Sequence, residues 1–333
     1  METFMDNSHF SAKKVLITGG LGFIGSNLAI KLVELGAKVT LIDSLIPQYG
    51  GNLWNIEPIK DKVWVNISDV RDPHAMKYLV DGQDYLFNLA GQTSHLDSME
   101  DPETDLEINV HAQLGILEAC RHYNPGIKLV FASTRQIYGK PLALPVNESH
   151  PLNPVDVNGI NKLAGEQYHL VYNNVYGIRA SILRLTNTYG PRMRVKDARQ
   201  TFLGIWIRKL LDGQPITIFG DGSQVRDFNY VDDVVDALLL AAADEKTNGE
   251  IYNLGSYETH TLSDTASLLV QLHQDGCYEY IPFPENRKVI DIGDYCADTS
   301  KIKDHLGWQP RISLEEGLRR TLEYYEQFHQ HYW

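Results

Sequence analysis

Short apolar runs alternate with helically spaced apolar positions through the first 185 residues. Residues 15–17 (Val-Leu-Ile) follow a lysine pair and precede glycines, which predicts a short buried strand. Residues 27–35 repeat apolar positions at helical spacing and stop at Gly36. Further strands are predicted at 38–42, 63–65, 85–89, 128–132 and 178–185, with helices at 102–122 and 155–174. Strands separated by helices pair in parallel, because each crossover needs a helix. The fold class expected is α/β: a Rossmann-type doubly wound parallel sheet, with ligands outside the carboxyl ends of its strands.

Beyond residue 185 the pattern changes. Helical stretches at 201–211, 231–243, 262–273 and 314–329 are split by short strands and loops. The expectation is a nucleotide-binding domain over 1–185 and a smaller C-terminal α/β substrate domain over 186–333, with the chain free to cross between the lobes.

Composition adds little to this and excludes several classes. Hydrophobic content is 43% and charged content 22%, ordinary for a globular chain. The net charge of −13 disfavours nucleic acid and anionic membranes as partners. One basic loop stands against that acidity: Arg192, Arg194, Lys196 and Arg199, read as a candidate anion site or a solvated surface. The three cysteines lack C-x-x-C spacing, so neither a disulfide framework nor a structural metal site is expected. No secretory signal or bilayer-length apolar run is apparent, and a cytoplasmic location is expected.

The chemistry begins at the first turn. Gly19, Gly22 and Gly25 form G-x-x-G-x-x-G between the first strand and first helix. Such a turn lets backbone approach a pyrophosphate, which then meets the unpaired N–H groups of the helix start. Asp43 ends the second strand, where a carboxylate accepts ribose hydroxyls and repels a 2′-phosphate. The cofactor expected is therefore NAD rather than NADP. Asp69 and Val70 follow the third strand; Asp69 reads equally as an adenine contact or as a helix cap.

Five ordered segments then carry a resemblance: TGGLGFIG (18–25), NLAGQ (88–92), ASTRQIYG (132–139), LRLTNTYGPR (183–192) and RDFNYVDD (226–233). Together with the ending ADTSKIKDHLGWQP (297–310), they are similar to the extended short-chain dehydrogenase/reductases. More narrowly, the chain resembles the NAD-dependent nucleotide-sugar epimerases and dehydratases, from about residue 13 to 322. The resemblance implies that Phe23 and Ile24 line the pyrophosphate turn and that Leu89 and Ala90 flank the cofactor. It implies that Thr134 bonds the reacting sugar hydroxyl and that Lys162 binds the nicotinamide ribose. Asn187, Arg192 and Arg226, with Lys288 or Arg287 beside Asp291, become the expected contacts to a nucleoside-diphosphate sugar. The helices at 102–122 and 155–174 become the expected interface of a homodimer.

One departure bears on mechanism. The family carries Tyr-x-x-x-Lys on a helix, whereas this chain reads Asn158-Gly-Ile-Asn-Lys162. An amide does not titrate where a tyrosine would act as base. His95, just after the fourth strand, reads as a candidate substitute, since neutral imidazole suits a base near pH 7, or as a polar loop residue; Lys162 acting through water is a second candidate. Dehydratases of the group also place acids after the threonine, where this chain has Arg135-Gln136. The activity expected is an NAD-dependent nucleotide-sugar epimerase. The alternatives are other chemistry on such substrates (a dehydratase, reductase or keto-sugar epimerase) or an NAD-binding protein without turnover.

Overall fold

A computed structural model describes residues 8–333 apart from 200 and 275. Its centre is a seven-stranded, all-parallel sheet. Six of the strands are β1 (Lys14–Thr18), β2 (Lys38–Asp43), β3 (Val63–Ile67), β4 (Tyr85–Asn88), β5 (Lys128–Thr134) and β6 (Arg179–Leu185). The seventh, Ile251–Asn253, pairs with β6 at one edge, and the order runs from it through β6, β5, β4, β1 and β2 to β3. Residues 186–333 therefore contribute to the main sheet as well as to the C-terminal lobe. Strand order reverses between β1 and β4, and their carboxyl ends open the crevice in which such sheets bind ligands.

Alternation along each strand builds two cores. In β1, Val15 and Ile17 enter one apolar cluster and Leu16 enters the other. The first cluster takes Leu28 and Leu32 of α1 (Phe23–Glu34). The second takes Met76 of α2 (Pro73–Leu79). On that same face lie α3 (His95–Glu100), α4 (Pro102–Leu106), α5 (Ala112–Tyr123) and α6 (Val157–Tyr176). The predicted helix over 102–122 is interrupted by a wider π turn at Glu107–His111, between α4 and α5. Each residue of a π turn widens the coil, a feature that side-chain periodicity does not announce.

The C-terminal lobe has its own core of Leu203, Trp206, Ile207, Ile216, Leu262 and Leu318. Its first helix, α7 (Phe202–Leu211), is capped by Thr201, whose side chain accepts from Leu203 N. The next, α8 (Val231–Ala243), crosses back to pack on α1. No helix among the described residues is long and apolar enough to cross a membrane.

Candidate active site

A cavity of about 770 Å³ runs from the glycine turn across the carboxyl ends of the central strands into the C-terminal lobe. At its near end Gly19 sits at φ +68°, a left-handed conformation that glycine adopts without strain. Gly25 is set by proximity instead: a Cβ there would lie 2.2 Å from the Gly19 carbonyl oxygen. No side chain caps α1, whose N-cap is Gly22. The first amides of the helix are thus available to an anion at the cavity wall.

Asp43 lies on the same wall. Its carboxylate accepts from Leu21 N at 3.1 Å and Leu45 N at 2.9 Å. Burial raises its pKa, against the pull of those two amides. Each oxygen keeps a lone pair for a ribose hydroxyl. Phe23, Ile24, Val70, Leu89 and Ala90 line the cavity beside it. Leu89 N and Ala90 N both donate to Thr18 Oγ1, which fixes the chain there. Asp69 also lines the cavity, but Arg71 engages both its oxygens at 3.1 and 2.7 Å. That pairing holds its pKa below the usual value. Asp72, not Asp69, caps α2. The glycine cradle and Asp43 fit NAD.

The middle of the cavity holds Thr134, His95, Asn158 and Lys162. Thr134 ends β5 and its Oγ1 accepts from Gln136 N at 3.2 Å. Lys162 is buried in α6 and donates to the Ala132 carbonyl at 2.9 Å. Burial lowers its pKa to about 8, with Asp105 and Glu166 acting in the opposite direction.

Asn158 lies one turn earlier on α6 and is 2% exposed. Its amide donates to the Gln92 carbonyl at 2.8 Å and to Asp105 Oδ2 at 3.0 Å. Asn161 donates to the other Asp105 oxygen at 2.8 Å. The residue in the tyrosine position is thus half of a buried amide–carboxylate pair. Nothing in the sequence tied Asp105 to Asn158, because the two meet only when α4 packs on α6.

His95 is not in a loop, as its polar surroundings suggested. It is the first residue of α3, with Ser94 as N-cap. Its Nδ1 lies 3.0 Å from Asp156 Oδ2, close but bent away from the ideal N–H···O line. Asp156 is fully buried at the start of α6, where it caps the helix by accepting from Gly159 N. It also accepts from Gln136 Nε2 at 2.7 Å. Burial alone would raise the pKa of Asp156; the contacts with His95, Gly159 and Gln136 outweigh it and hold the carboxyl below its usual range.

The far end is cationic. Arg135, Asn187, Arg199, Arg226 and Arg287 line it. Arg135 donates to Asn187 Oδ1 at 2.9 Å, and burial lowers its pKa. Arg226 lies 3.5 Å from Asp291, and burial brings its pKa down to about 10.

Two expected contacts fall outside the lining. Arg192 donates to Asn27 Oδ1 at 2.9 Å and to the Asn55 carbonyl, and lies over the Tyr324 ring. It fastens the loop to α1 instead of facing the cavity. Lys288 is solvent-exposed, and its neighbour Arg287 takes the lining position. Of the rest of the basic loop, Arg199 alone reaches the cavity, paired there with Asp97 at 2.8 Å. Arg194 pairs with Asp197 at 2.6 Å. Among the described residues no cluster of acidic, histidine or cysteine side chains is disposed to hold a metal.

Known proteins share this fold. Residues 15–255 match the NAD dependent epimerase/dehydratase family. A putative UDP-glucose 4-epimerase of Methanocaldococcus jannaschii is 36% identical over 315 residues, 93% of this chain and 97% of that one. Among solved structures, a Thermotoga maritima UDP-glucose 4-epimerase with UDP-glucose superposes with a TM-score of 0.87. It is 33% identical and the match covers 94% of this chain and 99% of that one. A Bacillus cereus UDP-glucuronic acid 4-epimerase, solved with UDP-glucuronic acid and NAD, gives a TM-score of 0.83 at 29% identity, covering 94% and 99%. With the family matched over most of its length and its glycine cradle, threonine and lysine gathered in one cavity, the chain belongs to the NAD-dependent epimerase/dehydratase family of enzymes.

Proposed function

We propose that the protein epimerises a nucleoside-diphosphate sugar at a carbinol carbon, using tightly held NAD. The observation that carries this is one continuous cavity with the glycine cradle at one end, Thr134 and Lys162 in the middle and arginines at the other. Bound NAD supplies reversible hydride chemistry. Asp43 would hold the adenosine ribose and Lys162 the nicotinamide ribose. Thr134 would donate to or accept from the reacting hydroxyl. Arg226 and Asn187 would hold the diphosphate, a planar guanidinium fork being suited to phosphate oxygens. Binding of that remote group positions the sugar for reaction. Gln136 favours epimerisation over dehydration: it is an amide already donating to Asp156, where elimination would need an acid.

The same reading divides the chain into an NAD-binding part over 1–185 and a substrate-binding part drawn mainly from 186–333. It places the enzyme in the cytoplasm as a homodimer. Ile160, Val171 and Val175 support the dimer: they are 54%, 49% and 65% exposed, and their spacing puts them on one face of α6.

The test is direct. The purified protein is denatured to identify its dinucleotide, then the intact protein is incubated with UDP-, GDP-, CDP- and dTDP-sugars. Product NMR and NADH absorbance are followed together. An isomerised sugar without net NADH supports the proposal. Water loss, net oxidation or isomerisation restricted to keto-sugars would replace it with the corresponding chemistry, and bound NAD without turnover of any sugar would remove it.

A further inference from the structure

Removing the tyrosine leaves the family reaction without its proton carrier, and the cavity wall supplies a different one. We propose that His95 exchanges the proton of the sugar hydroxyl and that Asp156 is its positioning residue. This rests on the epimerase reading above.

Four observations converge. The His95 side chain is 38% exposed at the cavity, yet its Nδ1 is fully covered against Asp156. The open edge of the ring is therefore the Nε2 edge. A carboxylate behind Nδ1 fixes that nitrogen as the N–H and leaves Nε2 as the acceptor. Secondly, the hydrogen bonds that the Asp156 carboxylate accepts come from Gly159 N and Gln136 Nε2, neither of them a cation, which leaves His95 as the titratable group in contact with it. Thirdly, Gln136 links this pair to the reaction centre, because its backbone N–H donates to Thr134 Oγ1 while its side chain donates to Asp156. The threonine that would hold the hydroxyl and the carboxylate behind the imidazole are positioned by one residue. Fourthly, Asn158 is held by Gln92 and Asp105, so the tyrosine position is committed to structure.

Other charged groups surround the imidazole. Asp97 lies on its own helix and is paired with Arg199. Lys162 and Arg135 share the cavity from α6 and from the turn after β5. Asp156 is the one in direct contact with the ring.

The step balances as follows. Bound NAD would take up the hydride of the carbinol C–H bond and give it back, so that it supplies the oxidant and the reductant of the cycle. The O–H proton passes to His95 Nε2, the C–O bond becomes C=O, and the ring becomes imidazolium facing Asp156. Once the keto-sugar has rotated to present its other face, the hydride would be returned there and Nε2 would return the proton to oxygen. Sugar oxidation and cofactor reduction cancel over the cycle.

The NAD-loaded enzyme is compared with His95→Gln and Asp156→Asn. Asparagine remains a good N-cap, so the second variant keeps the start of α6. His95→Gln is expected to lower kcat by about 10²-fold or more, the range of a lost acid–base group, with NAD content and nucleotide-sugar Kd within about twofold of the parent. Asp156→Asn is expected to shift the acid limb of the kcat/KM profile to lower pH, because imidazolium loses its carboxylate. Selectively ¹⁵N-histidine-labelled protein gives a readout independent of turnover: the resonance absent in His95→Gln should titrate at lower pH in Asp156→Asn. The inference is overturned if His95→Gln keeps kcat within about threefold, or if Asp156→Asn leaves both the rate profile and the imidazole titration unmoved. If the parent turns over no nucleotide sugar, the epimerase reading has failed; if the parent turns over and His95→Gln does too, this inference alone has failed.

Discussion

Lys162→Met should make the cofactor-free protein more stable at neutral pH while abolishing turnover. The Lys162 amine is buried in α6 and donates to the Ala132 carbonyl. Burial brings its pKa from 10.5 to about 8. That difference corresponds to about 3 kcal/mol at 1.36 kcal/mol per unit, the penalty for keeping the amine charged in the folded state. The sign follows from proton counts. Between pH 8 and 10.5 the unfolded chain holds the proton that the folded chain has lost, so raising pH favours folding. Below pH 8 both states are protonated and the full penalty is present. Methionine fills similar volume without charge, but loses the Ala132 hydrogen bond, a loss of about 1 kcal/mol. The net expectation is a gain of about 2 kcal/mol at pH 7, falling away above pH 8 and reversing to a loss of about 1 kcal/mol near pH 10.5. Urea unfolding of parent and variant across pH 6.5–10.5 measures this (about ten conditions suffice), and taking the difference cancels other titrating groups such as Lys128. A variant less stable than the parent at pH 7, or a difference independent of pH, would refute the reasoning.

Other perturbations test other parts of the structure. Gly25→Ala places a Cβ 2.2 Å from the Gly19 carbonyl oxygen and should abolish NAD retention, read as dinucleotide released on denaturing the purified protein. Glu166→Gln leaves the buried Arg184 guanidinium without its carboxylate, now 2.7 Å away, and should lower unfolding free energy by about 3–5 kcal/mol in urea titration. The double variant Ile160→Glu, Val175→Glu puts charge on the exposed apolar face of α6 and should elute as a monomer in light-scattering chromatography; an unchanged dimer would move the interface elsewhere.

Much of this protein was legible along the chain because its signals are local. Apolar runs of β1, β2, β5 and β6 are buried on both faces, so each reads as a strand without knowledge of its neighbours. The glycine turn is equally local, since Gly22 and Gly25 both close on the Gly19 carbonyl within a single strand-to-helix junction. The strand Ile251–Asn253 was not legible: three residues carry no period, and pairing with β6 creates it. Arg192 looked like an anion contact because its charge was visible and its partner Asn27, on α1, was not.

The sequence by itself determined the α/β class, the cofactor cradle, Asp43 and the fact that an amide stands where a base is expected. These depend on residue type and spacing within one turn or one strand. Only the tertiary structure decided what the amide does and what faces His95. Asp105 reaches Asn158, and Asp156 reaches His95, because α3 and α4 pack across the first turns of α6. Such pairings are set by helix packing, and a buried carboxylate gives no periodic signal of which distant side chain it will meet.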